Sequence, residues 1–310
     1  MRTEINIGTR GSALALWQAR WVQSRLQDFF PDTSINLHII KTKGDKILDV
    51  PLAKIGGKGL FVKEIETALL DQTIDIAVHS MKDMPSEIPA GLCIGAITKR
   101  ENPQDVLISK DGSGLNSMSK TARIGTSSLR RSSQLLHAYP DLQIVPLRGN
   151  LDTRLKKLDS ENLDAIVLAA AGVIRMGLKA RIASYFDTSF ILPAAGQGAL
   201  GIEIRKDDPL MQKAMTHLDD FETHVSVTAE RAFLHQLEGG CQVPIAAHAK
   251  INNQTIHLTG MVAGLNGQPL LRDEISGHTD QAVSLGQTLA QQLLKQGAKD
   301  ILAQIVDYQK

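Results

Sequence analysis

A thiol, a carboxylate and a set of arginines are the groups in this chain whose setting suits chemistry. Cys241 lies in Glu238-Gly239-Gly240-Cys241-Gln242-Val243-Pro244-Ile245, after a helical run and before a strand-like one. Two glycines remove bulk on one side and a proline stiffens the other, so the thiol is expected on a tight, open loop. A thiol so placed can be a nucleophile or a covalent attachment point, or a small hydrophobe in a turn. Asp83 follows an apolar run in Val78-His79-Ser80-Met81-Lys82-Asp83-Met84-Pro85, and Pro85 stops a helix from continuing there. It can enter a cleft as an acid or base, or cap a turn. His79 alternates with apolar strand residues and reads as a satisfied, partly buried histidine. Nothing with metal-ligand spacing accompanies it, and no metal is expected.

The arginines recur where strands end. Arg10 sits at the first strand-to-helix turn, and Arg130 and Arg131 follow Ser127 and Ser128 at another. Arg148 comes just after a strand, Arg154 one helical turn beyond Asn150, and Arg175 again after a strand. Strand ends of this kind converge on the carboxyl edge of an α/β sheet, where ligands bind and helix N-termini add N–H donors. Charge-assisted bonds in a site give ~1.5–3 kcal/mol each, against ~0–1 kcal/mol for an exposed pair. Several in one cleft imply a ligand with several carboxylates or phosphates; the bland reading is solvated arginines on helix faces.

Strand-like and helical runs alternate through the first two-thirds of the chain. Ile5 to Thr9, Ile35 to Lys41 and Ile74 to His79 read as strands. Ala15, Ala19, Val22, Leu26 and Phe29 recur at helical spacing, and Phe61 to Leu70 is a second helix. This is βαβ material, so a sheet covered by helices is expected. Ile7-Gly8-Thr9-Arg10-Gly11-Ser12 has an echo in Ile124-Gly125-Thr126-Ser127-Ser128, which suggests two similar α/β domains. Residues 99–103 read as the crossover between them, and Leu200 to Ile204 as a late strand that returns to the first. The polar, glycine-rich segment 42–60 reads as a surface loop, possible as a lid; its Gly56-Gly57-Lys58-Gly59 lacks the spacing and the hydroxyl of a phosphate loop. From Phe221 a helix leads to Cys241, then to strand-like runs near 245–252, 255–264 and 269–276 and a closing helix with Ala282, Leu285, Leu289 and Leu293.

Composition narrows the function classes. The 310 residues carry a net charge of +1, so no global basic field for nucleic acid exists, and aromatic residues are few. Two cysteines, one of them (Cys93) in a strand that reads as buried, make a disulfide framework unexpected. No apolar run approaches the ~20 residues that span a bilayer, and Met1 to Ile5 enters a strand at once without a signal-like run. A soluble, cytoplasmic chain is expected, with neither membrane nor nucleic acid as partner.

Together these residues resemble the porphobilinogen deaminase (hydroxymethylbilane synthase) family. The resemblance runs the full length: G-T-R-G-S at 8–12, G-G-K-G-L-F at 56–61, H-S-M-K-D-M-P at 79–85, G-T-S-S-L-R-R at 125–131, L-R-G-N at 147–150, P-A-A-G-Q-G-A-L at 193–200, and E-R-x-F-L continuing to G-G-C-Q-V-P at 230–244. It implies two periplasmic-binding-protein-like (type II) α/β domains around a cleft, plus a small C-terminal α+β domain with a three-stranded antiparallel sheet. The implied boundaries are residues 1–98 with 199–217, residues 104–193, and residues 221–310. The implied activity is the stepwise head-to-tail condensation of four porphobilinogen molecules, with loss of ammonia, and release of hydroxymethylbilane by water. The implied cofactor is dipyrromethane, held by Cys241 through a thioether. Asp83 is implied as the catalytic carboxylate. Ser80, Lys82, Asp83, Thr126, Ser128, Arg130, Arg131, Arg154 and Gln197 are implied to hold the cofactor. Arg10, Ser12, Gln18, Arg148, Arg154 and Arg175 are implied to bind porphobilinogen and the growing polypyrrole. Lys54, Lys58 and Phe61 fall to the lid, and a monomer is expected. The runner-up from another class is a non-catalytic protein that closes two α/β domains over an organic anion; the cysteine loop disfavours it, since a simple binder needs no covalent anchor.

Overall fold

β-Branched and aliphatic runs bounded by polar turns give the strands of two separate five-stranded sheets. The computed structural model describes residues 2–46, 59–237 and 243–309. The described residues form two compact units: residues 2–46, 59–101 and 198–224, and residues 102–197, 225–237 and 243–309.

In the first unit, β1 (Glu4–Thr9) lies parallel to both β2 (Ser34–Ile39) and β3 (Ile76–Ser80). β10 (Leu200–Arg205) runs antiparallel between β3 and β4 (Leu92–Ile97), giving the order β2-β1-β3-β10-β4. The expected return of the late strand is therefore present. Ile5, Ile7, Ile76, Val78, Ile202 and Ile204 put apolar side chains on one face, against Ala19, Val22 and Leu26 of the helix Ala13–Phe29. On the other face Ala77 packs against Ile65 and Leu69 of the helix Lys63–Leu70. That helix begins two residues later than the periodicity suggests, because Gly59 to Val62 form a turn ahead of it.

The second unit repeats the plan. β6 (Arg123–Gly125) is parallel to β7 (Gln143–Val145) and β8 (Ala165–Ala169), and β5 (Asp105–Ser109) runs antiparallel between β8 and β9 (Ser184–Tyr185). The order β7-β6-β8-β5-β9 matches that of the first sheet, with β5 in the place of β10. The echo between residues 7–12 and 124–128 thus marks equivalent strand ends. Two mixed α/β sheets of like order are the architecture that the sequence led us to expect.

Residues 243–309 add a different layer. β11 (Ile245–Asn252), β12 (Thr255–Ala263) and β13 (Leu270–His278) form an antiparallel sheet, which packs on the helices Phe221–Gln236 and Ala282–Leu293 around Phe233, Leu258 and Leu289. Gly260 lets the Phe233 ring lie directly on β12, where a Cβ would overlap it. Leu192 packs with Ala246, Met261 and Ala263, and Nδ1 of His137 lies 3.0 Å from the Gly267 carbonyl, joining this sheet to residues 129–192. No helix among the described residues is long and apolar enough to cross a membrane.

Candidate active site

In each five-stranded sheet the parallel strands end at one edge, and the antiparallel strand begins there. Leu200 pairs with Ser80, and Asp105 pairs with Ala169. Most of the sequence-derived site residues sit at these two edges.

At the first edge, β3 ends in Ser80 and passes into a single 3-10 turn, Met81–Asp83. Met81 is buried, and its N–H donates to the Ala199 carbonyl at 3.0 Å, which anchors the turn to β10's approach. Asp83, half-buried, lines a hollow with Arg10, Ser12, Gln18, Phe61, His79 and Ser80. Ser12 caps the helix Ala13–Phe29, accepting from the Ala15 N–H at 3.3 Å. Gln18 is buried and donates to Ser80 Oγ at 3.0 Å, so one helical side chain fixes the hydroxyl beside the Asp83 turn. Lys82 is half-buried on the same turn. His79 is buried, with Nε2 3.1 Å from Glu203, in keeping with a satisfied histidine.

Arg10 reaches across this edge. Its guanidinium stacks 4.2 Å from the centroid of Phe61 and bonds Asp45 through Nε at 3.2 Å and through Nη2. Gly44 makes room for the Phe61 ring. Burial raises the Asp45 pKa, but the bonds from Arg10 and Thr42 outweigh it and hold the carboxyl below its ordinary value. The sequence reading missed Asp45: it stood in a polar segment, and nothing local tied it to Arg10, 35 residues away. Lys54 and Lys58, the other lid residues, lie outside the described residues, as does Cys241.

At the second edge, Thr126 follows β6, and its hydroxyl accepts from the Ser128 N–H at 3.2 Å. Ser128 stands at the N-cap of the helix Leu129–Ala138. Arg130 and Arg131 open that helix, and both are buried rather than open to solvent. Arg130 Nη1 lies 2.7 Å from Asp105 Oδ2 and 2.7 Å from the Leu192 carbonyl. Arg131 grips Asp105 Oδ1 through Nε and Nη2 at 2.9 and 2.7 Å, and the Val167 carbonyl through Nη1 at 3.0 Å. Gln197 Nε2 completes the cage, donating to Asp105 Oδ1 at 3.1 Å and to the Pro103 carbonyl at 2.7 Å. Full burial works to raise the Asp105 pKa, but the two guanidinium groups win and hold it far below the carboxylate range. Asp105 is the second residue that sequence reading missed; its signal was only its place at the start of an apolar run.

Arg148 is half-buried, just before Gly149 at φ +115°, and its Nη1 is buried without a hydrogen-bond partner among the described residues. Asn150 caps the next helix, accepting from the Thr153 N–H at 2.9 Å, and Arg154 Nε donates to the Gly149 carbonyl at 2.9 Å. Arg175 is half-buried at the end of the short helix Ala170–Arg175 that leaves β8. Glu230, from the helix that precedes the cysteine segment, accepts from the Gly196 N–H at 2.7 Å and the Ala249 N–H at 2.8 Å. It thereby fixes the turn that carries Gln197. Arginine forks around one strand edge suit planar anions such as carboxylates, and Arg148 Nη1 has a donor to offer one.

Comparisons with known proteins agree with this chemistry. Residues 5–213 match the family model described as "Porphobilinogen deaminase, dipyromethane cofactor binding domain", and residues 224–295 match "Porphobilinogen deaminase, C-terminal domain". The chain is 53% identical over 302 residues to the porphobilinogen deaminase of Pelobacter propionicus, covering 97% of both chains. It is 54% identical over 299 residues to that of Syntrophotalea carbinolica, covering 96% of this chain and 95% of the relative. It is 52% identical over 305 residues to that of Desulforamulus reducens, covering 98% and 99%.

Proposed function

The chain belongs to the porphobilinogen deaminase family, and from that premise we propose how its own residues carry out the family's reaction. It is a transferase that condenses porphobilinogen head to tail, with loss of ammonia, and releases hydroxymethylbilane. Full-length relatives of this one kind disfavour a non-catalytic anion binder.

The dipyrromethane, when bound, supplies the primer to which new pyrrole units are joined. Cys241 would hold it through a thioether. Its carboxylates suit the residues present: Arg148 keeps a buried, unpartnered Nη1, and Thr126, Ser128, Arg130, Arg131, Arg154 and Gln197 gather at the same strand edge. That unpartnered guanidinium nitrogen is the observation that most directly supports an anionic guest here, since leaving a charged donor bare in the fold is costly. Arg10, Ser12, Gln18, Arg148, Arg154 and Arg175 bind the acetate and propionate groups of substrate and product chain. Residues 104–193 and 221–310 act as separate domains in this reading, and Lys54, Lys58 and Phe61 close over the site. A monomer in the cytoplasm completes it.

Asp83 does the electrostatic work. Its carboxylate holds the pyrrole N–H and faces the positive charge that grows as ammonia leaves. Ser80, held by Gln18, and Lys82 keep the turn that carries it in place. Arg148→Leu tests the anion site. One lost charge-assisted bond of ~1.5–3 kcal/mol corresponds to a rise in KM of roughly 10- to 150-fold. An unchanged KM in a folded Arg148→Leu protein would remove Arg148 from the site.

A further inference from the structure

Three titratable groups behind the Asp83 hollow have no role in the scheme above. His79 lines the hollow, and its Nε2 lies 3.1 Å from Glu203 Oε2, with the two side chains 3% and 0% exposed. Glu66, on the helix Lys63–Leu70, is 7% exposed. Glu203 Oε1 and Glu66 Oε1 are each buried without a hydrogen-bond partner among the described residues. The Glu203 charge bears on Glu66, so these two buried carboxyl groups cannot both ionise at low cost, and a bare carboxylate oxygen is costly to bury. A shared proton relieves both problems.

The surroundings agree. Burial first, and then the Glu203 charge, push the Glu66 pKa up to about 7; His79 and Lys63 offset this only in part. Arg205, two residues beyond Glu203, does not neutralise the cluster: it is committed to the Leu69 and Ile74 carbonyls and to Asp75. From β4, Cys93 contributes a thiol whose pKa is raised by burial; the Lys206 charge works against this, and Glu203 adds to it. On the hollow side stand Asp83 and Arg10, the latter paired with Asp45. No group of three or more such side chains among the described residues is arranged to hold a metal ion.

We propose that Glu66, Glu203 and His79 form one buried proton-holding unit, which accepts the proton released in each condensation and passes it to the ammonia already set free. In each cycle the substrate's C–N bond breaks, and its electron pair leaves on ammonia. A C–C bond forms at the α carbon of the accepting pyrrole, whose C–H bond then breaks with its pair returning to the ring. The proton from that carbon needs a base until it joins ammonia as ammonium, and atoms and charge then balance. His79 borders the hollow and passes the proton; Glu66 and Glu203 are positioning residues that act through it. The proposal rests on the reading of Asp83 as the carboxylate at the reacting centre.

Infrared spectra of the holoenzyme, titrated through neutral pH, test it without reference to turnover. The expected result is a protonated-carboxyl band that shifts in D2O, disappears as pH rises through about 7, and is absent in Glu66→Gln. The kcat–pH profile of Glu66→Gln should lose its near-neutral limb, with kcat lowered about tenfold or more and KM within about twofold. His79→Gln should lose a like amount. A wild-type protein with no such titrating band overturns the proposal even if the variants fail to fold. A folded Glu66→Gln protein with the wild-type pH profile overturns it as well. If Asp83→Asn keeps full turnover while the band is present, it is the reading of Asp83 that fails. If Asp83→Asn is inactive and the band is missing, the proton-holding unit alone fails.

Discussion

Asp83 and Asp105 are both carboxylates at a sheet edge, and their surroundings give them opposite tasks. Asp83 is half-buried on an open turn, where its charge can meet a ligand. A carboxylate ~4 Å from a developing cation, at an effective dielectric of about 20, is worth about 4 kcal/mol, or roughly three decades in rate. Asp83→Asn is therefore expected to lower single-turnover rates by about that factor with cofactor loaded and KM little changed; turnover equal to wild type would remove the role. Asp105 is enclosed by two guanidinium groups and Gln197 and holds them in place. Asp105→Asn leaves two buried cations half-compensated and should cost ~3–5 kcal/mol of stability. The sign with pH follows from its depressed pKa. The stabilisation is complete above the ordinary value of 3.8 and is lost as pH falls toward the folded value. Denaturant midpoints should thus differ widely at neutral pH and converge in acid; a constant gap would show that the pair is not the cause. The sequence made Asp83 legible through its neighbours in the chain. It hid Asp105, because the partners lie 25, 26 and 92 residues away and pairing at that range leaves no local pattern.

Strand order explains how such residues meet. Alternation and β-branching marked the strands, and Leu200 to Ile204 was legible as a late strand. Its antiparallel place between β3 and β4 brings Ala199 beside the Asp83 turn, where its carbonyl accepts from the Met81 N–H. Helix starts were harder to read, since the turn at Gly59–Val62 carries the same apolar rhythm as the helix that follows. In the antiparallel sheet of residues 245–278 the informative position is a glycine. Gly260→Ala places a methyl against the Phe233 ring and Leu289, and overpacking of this kind costs about 1–3 kcal/mol. A urea midpoint lowered by that amount, with an unchanged slope, is expected. An unchanged midpoint would mean that the Phe233 contact relaxes freely.

Across the whole molecule, one sheet plan is used twice, and the short echo of Gly-Thr turns was its trace in the sequence. The two sheets share strand order, yet their edges differ in chemistry: a carboxylate and a hydroxyl at the first, a cage of arginines at the second. The family match spans both five-stranded sheets and the C-terminal sheet. Cys241 lies outside the described residues, and its role as the anchor rests on sequence. The most direct measurement is an intact mass of the purified chain, with peptide mapping across residues 238–244. A mass excess of two condensed pyrrole units on Cys241, either as purified or after incubation with porphobilinogen, is the expected result. A thiol still unmodified after that incubation, in a folded chain, would contradict the account.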